Sequence, residues 1–145
     1  FVYGPLIVSG SYLVQTNTLE VEPIIISVIL GLLITNVLII NEFPDYEADL
    51  LGNKNNVVVR LGKKRSLKVY ESLYILTYII IFFLALLTGN PSWAIGSLSL
   101  PIALSSARIA RNHYNDIPKL LEANIKTIIV YILTGVGLTV AVLTL

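Results

Sequence analysis

Four carboxylates fall within nine residues at Asn41-Glu42-Phe43-Pro44-Asp45-Tyr46-Glu47-Ala48-Asp49, hard against an apolar run that ends at Ile40. Asp45 and Asp49 are four apart and share a face if the segment is helical, with Asn41 one turn earlier. Oxygen donors in that array suit Mg²⁺, which keeps several waters and is usually held by one or two carboxylates together with substrate phosphates. A diphosphate is the natural third party. A solvated acidic loop explains most short charge runs. Here, however, Lys54 and Arg60 follow, where phosphate oxygens would need cations. Pro44 disfavours helix at Phe43. It predicts a kink there, with a short helical turn resuming from Asp45 to Asp49, so the aspartate pair is a firmer unit than the step from Asn41.

The elements that must carry this motif follow from composition. Hydrophobic residues make up 55% of the chain and charged residues 13%, which is not the profile of a soluble domain. The apolar residues gather in blocks at 6–14, 24–40, 69–87, 93–107 and 125–145. Roughly 20 apolar residues cross a bilayer core, and backbone groups in hydrocarbon must be satisfied within their own segment. The fold class is therefore an all-α integral membrane protein with about five transmembrane helices. All ten basic residues lie in two segments, from Lys54 to Lys68 and from Arg108 to Lys126, while the connections 15–23 and 88–92 have none. The positive-inside tendency puts both basic segments on the cytoplasmic side of the cell membrane, giving five crossings with the amino end inside and a cytoplasmic acidic motif. Topology accounts for the basic loops without nucleic acid. There is no cysteine, so disulfides and thiolate metal sites are excluded. The chain opens on Phe1 within an apolar stretch and reads as a fragment of a longer protein.

Several single residues carry expectations of their own. Gly4-Pro5 predicts a kink in the first helix, and Pro23 suits the first turn of the second. Asn36 should face other helices rather than lipid. Gly52, Asn53, Asn55 and Asn56 predict a loop, and 57–59 an extended piece or a short helix. Lys63, Lys64, Arg65 and Lys68 read as topological anchors. Trp93 and several of the eight tyrosines fit an interfacial aromatic belt,. Gly135 and Gly137 predict close helix contact, and His113 an interfacial polar residue. Arg111 or Asp116 is a candidate to close over the site from the second basic loop.

The stretch NEFPDYEADLLGNKNNVVVRLGKKRS resembles the second aspartate-rich segment of the intramembrane prenyltransferases of the UbiA superfamily. Its continuation VVVRLG is most similar to the branch that prenylates 1,4-dihydroxy-2-naphthoate in menaquinone synthesis. The resemblance is specific over residues 41–62. It implies a bundle of nine transmembrane helices with two aspartate-rich motifs that hold Mg²⁺ and a polyprenyl diphosphate between them. On that plan residues 1–145 are helices five to nine of one domain, the first motif lies outside them, and these residues alone are expected to be inactive or severely weakened. The same resemblance makes Asp45 and Asp49 the catalytic, metal-binding aspartates, and Asn41, Lys54 and Arg60 the diphosphate-binding positions. Relatives commonly have glycine just before the lysine. Here Asn53 stands there, and asparagine tolerates the same left-handed backbone.

The implied chemistry is electrophilic aromatic prenylation. Mg²⁺ withdraws electron density from the diphosphate, the allylic C–O bond ionises, and the carbocation attacks an electron-rich ring. Lys54 and Arg60 stabilise the departing charge, and apolar helices shield the cation from water. The partners are thus a polyprenyl diphosphate, an aromatic acceptor and membrane lipid. Other acceptors are 4-hydroxybenzoate, homogentisate or a glycerol phosphate ether. A transporter would place ionisable residues near mid-bilayer, and none is there; a non-catalytic helical subunit is the other rival.

Overall fold

The computed structural model describes residues 2–144, and all of their regular structure is helical. A π-helical turn, Val2–Leu6, runs into α1, Ile7–Thr16. Pro5 lies inside that turn; the predicted kink is thus taken up by wider winding, which absorbs a residue that cannot donate a backbone hydrogen bond. Gly4 sits against the next helix, where a Cβ would overlap the Ser27 carbonyl oxygen and the Gly31 Cα. Asn17 ends α1 in the left-handed region, φ 55°, and donates its N–H to the Leu13 carbonyl at 2.8 Å.

Helix α2 spans Val21–Glu42, α3 Tyr46–Leu51, α4 Val57–Leu61 and α5 Lys63–Thr88. A 3₁₀ segment, Pro91–Ser99, then continues as α6, Leu100–His113, and α7 is Ile117–Leu143. Nine residues is long for 3₁₀ winding,. Pro101 supplies a reason: it has no N–H for the Ser97 carbonyl, which instead accepts the N–H of Leu100 three residues on,.

Among the described residues three helices, α2, α5 and α7, are long and apolar enough to cross a membrane. With 22, 26 and 27 residues they reach roughly 33–40 Å, against a hydrocarbon core of about 30 Å. The other two apolar blocks are not single long α-helices. One is the π-turn with α1; the other is the 3₁₀ segment with α6.

Helix α7 packs on α2, α6 and the 3₁₀ segment, and α5 packs on α2. Two devices hold this core. The first is backbone-to-backbone contact: a Cβ on Gly137 would stand 2.9 Å from both the Gly96 Cα and the Ile95 carbonyl oxygen. Gly135 is different, since a Cβ there meets only the Leu30 side chain at 3.7 Å. The second is a hydroxyl seam. The Tyr70 hydroxyl lies 2.8 Å from Ser106 Oγ, 2.6 Å from Thr127 Oγ1 and 3.1 Å from the Tyr74 hydroxyl. Thr127 in turn donates to the Ala123 carbonyl at 2.7 Å. Further along, Ser99 Oγ joins the Tyr78 hydroxyl at 2.9 Å and Thr134 Oγ1 at 2.6 Å.

The aromatic-belt expectation is corrected for Trp93, Tyr70 and Tyr74, whereas the other tyrosines are at least partly exposed. Trp93 is fully buried, as is Tyr70, with Tyr74 nearly so. Tyr70 sits inside because serine and threonine hydroxyls on neighbouring helices satisfy its polar end. Asn36 is buried as expected, and neither of its amide atoms has a hydrogen-bond partner among the described residues.

Gly137→Ala is expected to destabilise the folded protein by about 1–3 kcal/mol, because backbone atoms cannot move aside as a flexible side chain would. Gly135→Ala should be neutral or slightly stabilising. Thermal unfolding of both variants in the same detergent checks the contrast.

Candidate functional site

The acidic turn is placed by the end of α2. The regular bonding of α2 stops at Glu42 and α3 resumes at Tyr46. Phe43 nevertheless keeps helical angles, φ −67° and ψ −45°, against the expectation for a residue before proline; Pro44 breaks the helix by lacking an N–H, and the Ile40 carbonyl accepts from Phe43 instead at 3.4 Å,. The Asp49 N–H donates to the Asp45 carbonyl at 2.8 Å, so the two aspartates are one turn apart across the α3 start. Their environments differ. Asp45 is exposed, whereas Asp49 is buried with 6% of its surface accessible.

A buried carboxylate needs partners for both oxygens, and Asp49 has them. Lys54 Nζ lies 2.6 Å from Oδ1, and Asn56 Nδ2 donates to Oδ2 at 2.7 Å. The Lys54 N–H also donates to the Asp49 carbonyl at 2.9 Å. Asn53 makes this close return possible: it adopts φ 53°, the left-handed conformation expected of it, while Gly52 keeps φ −79°. The hydrogen bond to Asp49, and then its charge, hold the Lys54 ammonium proton more tightly than in an ordinary lysine, with a smaller contribution from Asp45.

Asn56 does a second job. Its Oδ1 accepts the Val59 N–H at 2.8 Å and so caps α4, while Glu42 Oε2 accepts the Val58 N–H at 3.1 Å. Residues 57–59 therefore resolve as helix. Arg60 stands exposed on α4 and takes part in no ion pair among the described residues. Asn41, exposed at the end of α2, accepts at Oδ1 from Asn124 Nδ2 of α7 at 2.9 Å.

The structure thus brings Asp49 and Lys54 together and sets Asp45 beside them, while Asn41 and Arg60 flank the turn on other elements. Asn56 and Asn124 were not foreseen. The loop-forming character of Asn56 masked its capping role, and Asn124 gave only the signal of an amide among apolar residues. Lys63 also exceeds its expected part as an anchor, lying 4.9 Å from the centre of the Tyr46 ring and 3.7 Å from Glu47 Oε1. Of the second basic connection, Arg111 pairs with Glu71 at 2.7 Å and Asp116 with Lys119 at 2.9 Å, while Tyr114 and Asn115 border a cavity beside the turn.

Among the described residues no group of three or more His, Cys, Asp or Glu side chains comes together to hold a metal ion. Two carboxylates on one turn remain. That donor set fits Mg²⁺ shared with phosphate oxygens rather than a metal enclosed by protein alone. Beside the turn lies an open cavity of about 620 Å³, lined among others by Tyr46, Glu47, Lys63, Lys64 and Arg65.

The description of the UbiA prenyltransferase family matches residues 1–128, and the chain belongs to that family. It is 31% identical to UbiA prenyltransferase domain-containing protein 1 of Ailuropoda melanoleuca over 81% of this chain and 35% of that protein. It is 28% identical to 1,4-dihydroxy-2-naphthoate octaprenyltransferase of Escherichia coli, over 86% of this chain and 41% of that one. The enzyme of the same name from Mycobacterium tuberculosis is 29% identical over 76% of this chain and 37% of its own length. The chain therefore spans well under half the length of these relatives. No solved structure matches it significantly.

Asn56→Ala removes the α4 cap and one partner of a buried carboxylate together. It is expected to cost about 2–3 kcal/mol. Faster amide hydrogen exchange at Val59, with exchange in α7 unchanged, checks that the loss is local.

Proposed function

We propose that the complete protein transfers a polyprenyl group from its diphosphate to an aromatic acceptor, and that residues 1–145 supply helices five to nine and the second aspartate-rich segment. The observation that carries this is the acidic turn itself: an open carboxylate at Asp45, a clamped one at Asp49, and a lysine already fixed beside them. The cytoplasmic face of the cell membrane is the assigned side, from the two basic segments that flank the apolar helices.

In this reading Asp45 and Asp49 hold Mg²⁺ jointly with the diphosphate. When bound, the metal supplies positive charge that weakens the allylic C–O bond. Lys54 and Arg60 bind the diphosphate oxygens and stabilise the charge that grows there as it leaves. Asn41, fixed by Asn124, orients the nearest substrate oxygen. The apolar helices α2, α5 and α7 surround the prenyl tail and keep water from the reacting carbon. For the acceptor we assign 1,4-dihydroxy-2-naphthoate, on the likeness of Val57-Val58-Val59-Arg60-Leu61-Gly62 to that branch and on the names of the bacterial relatives.

In the complete protein Asp45→Ala and Asp49→Ala are each expected to lower Mg²⁺-dependent prenyl transfer by at least about 100-fold, and Arg60→Gln by a similar factor. Membrane insertion should be unaffected in all three. Transfer of a radiolabelled prenyl group in reconstituted vesicles measures this, and turnover retained in both aspartate variants would defeat the assignment. Activity on 4-hydroxybenzoate in place of the naphthoate would overturn only the acceptor.

A further inference from the structure

A second cavity lies away from the acidic turn, between α5 and α6, with a volume of about 560 Å³. Its walls include Ile75, Ile79, Phe82 and Phe83 of α5 and Leu100 and Leu104 of α6. Phe82 and Leu104 are each 61% exposed, so the groove opens sideways from the bundle. One end lies at Leu100, where the 3₁₀ segment, which also packs on α5, passes into α6. The other ends at the Arg111–Glu71 pair, on the side of the bundle that carries the acidic turn.

Size and charge select an occupant. From Glu71 to Phe83 the groove runs about 18 Å, close to one leaflet of a roughly 30 Å hydrocarbon core. A hydrocarbon chain laid along these apolar walls brings its headgroup to Arg111. At the mouth, Arg111 uses Nε to donate to Glu71 Oε1 at 2.7 Å, which leaves both terminal nitrogens without a protein acceptor among the described residues. Those nitrogens form the edge of a guanidinium that binds phosphate in bidentate fashion. Lys68 and Arg108 stand one helical turn from this pair, exposed and in no ion pair among the described residues. Three cations thus face one carboxylate.

We propose that this groove binds one anionic phospholipid, with an acyl chain between α5 and α6 and its phosphate on Arg111. Glu71 is a positioning residue that holds the guanidinium across the mouth. The inference rests on the membrane location and not on prenyl transfer.

The test uses the complete protein with Trp93→Phe, which removes the sole tryptophan of residues 1–145, every tryptophan outside them likewise replaced by phenylalanine, and a reporter Phe82→Trp in the groove. Vesicles of phosphatidylcholine with a minor fraction of phosphatidylglycerol carry bromine on the chains of one lipid or the other. Per mole of brominated chain, quenching by phosphatidylglycerol should exceed that by phosphatidylcholine about fivefold, the factor roughly one basic residue supplies against an anionic lipid. A reporter at Leu98, outside the groove and 76% exposed, should show no preference. Arg111→Gln should abolish the preference and Glu71→Gln should keep or raise it. A merely structural ion pair would make these two variants behave alike, which would overturn the proposal. Equal quenching by both lipids, as when a helix from outside residues 1–145 covers the groove, displacement of the lipid by a polyprenyl diphosphate, or a disulfide-linked dimer of a Phe82→Cys variant would overturn it equally.

Discussion

The acidic turn depends on one buried carboxylate. A carboxylate as buried as Asp49 needs a partner for each oxygen,, and that requirement folds the next seven residues back onto it. Lys54 and Asn56 both answer to it. Because Asn56 also caps α4 and Glu42 of α2 takes a second α4 amide, the turn, the loop and α4 form one unit. Gly62, at φ 77°, then redirects the chain into α5. The polar chemistry is thereby attached to a membrane helix on each side.

Away from the turn the helices face a different demand. Hydrocarbon offers no hydrogen bonds, so polar groups within the bundle must find partners on one another. The hydroxyls of Tyr70, Ser106 and Thr127 do so from three different helices. Gly96 and Gly137 let backbones meet directly. Small and hydroxyl-bearing residues thus assemble what apolar residues alone, equally content against lipid, would leave unspecified.

What was legible in the sequence followed from local rules. Apolar blocks gave the three long helices, Pro44 gave the break before α3, and the i, i+4 spacing gave the aspartate turn. Asn53 showed the left-handed backbone its chemistry permits. The rest depended on distant pairs. Nothing local joins Asn41 to Asn124, eighty-three positions later, and nothing in Trp93 or Tyr70 separates a buried aromatic from one at an interface. Arg111 was legible as a basic residue at a helix end but not as the partner of Glu71, because that contact exists only once α5 and α6 lie side by side.

Three helices tied at Tyr70, Ser106 and Thr127 cannot slide past one another without parting every bond at the knot. Seven residues further along α7, about 10 Å away, Thr134 joins Ser99, and Gly137 lies backbone to backbone against Gly96. A rod pinned at separate heights has no pivot, so α7 is held in angle as well as in register.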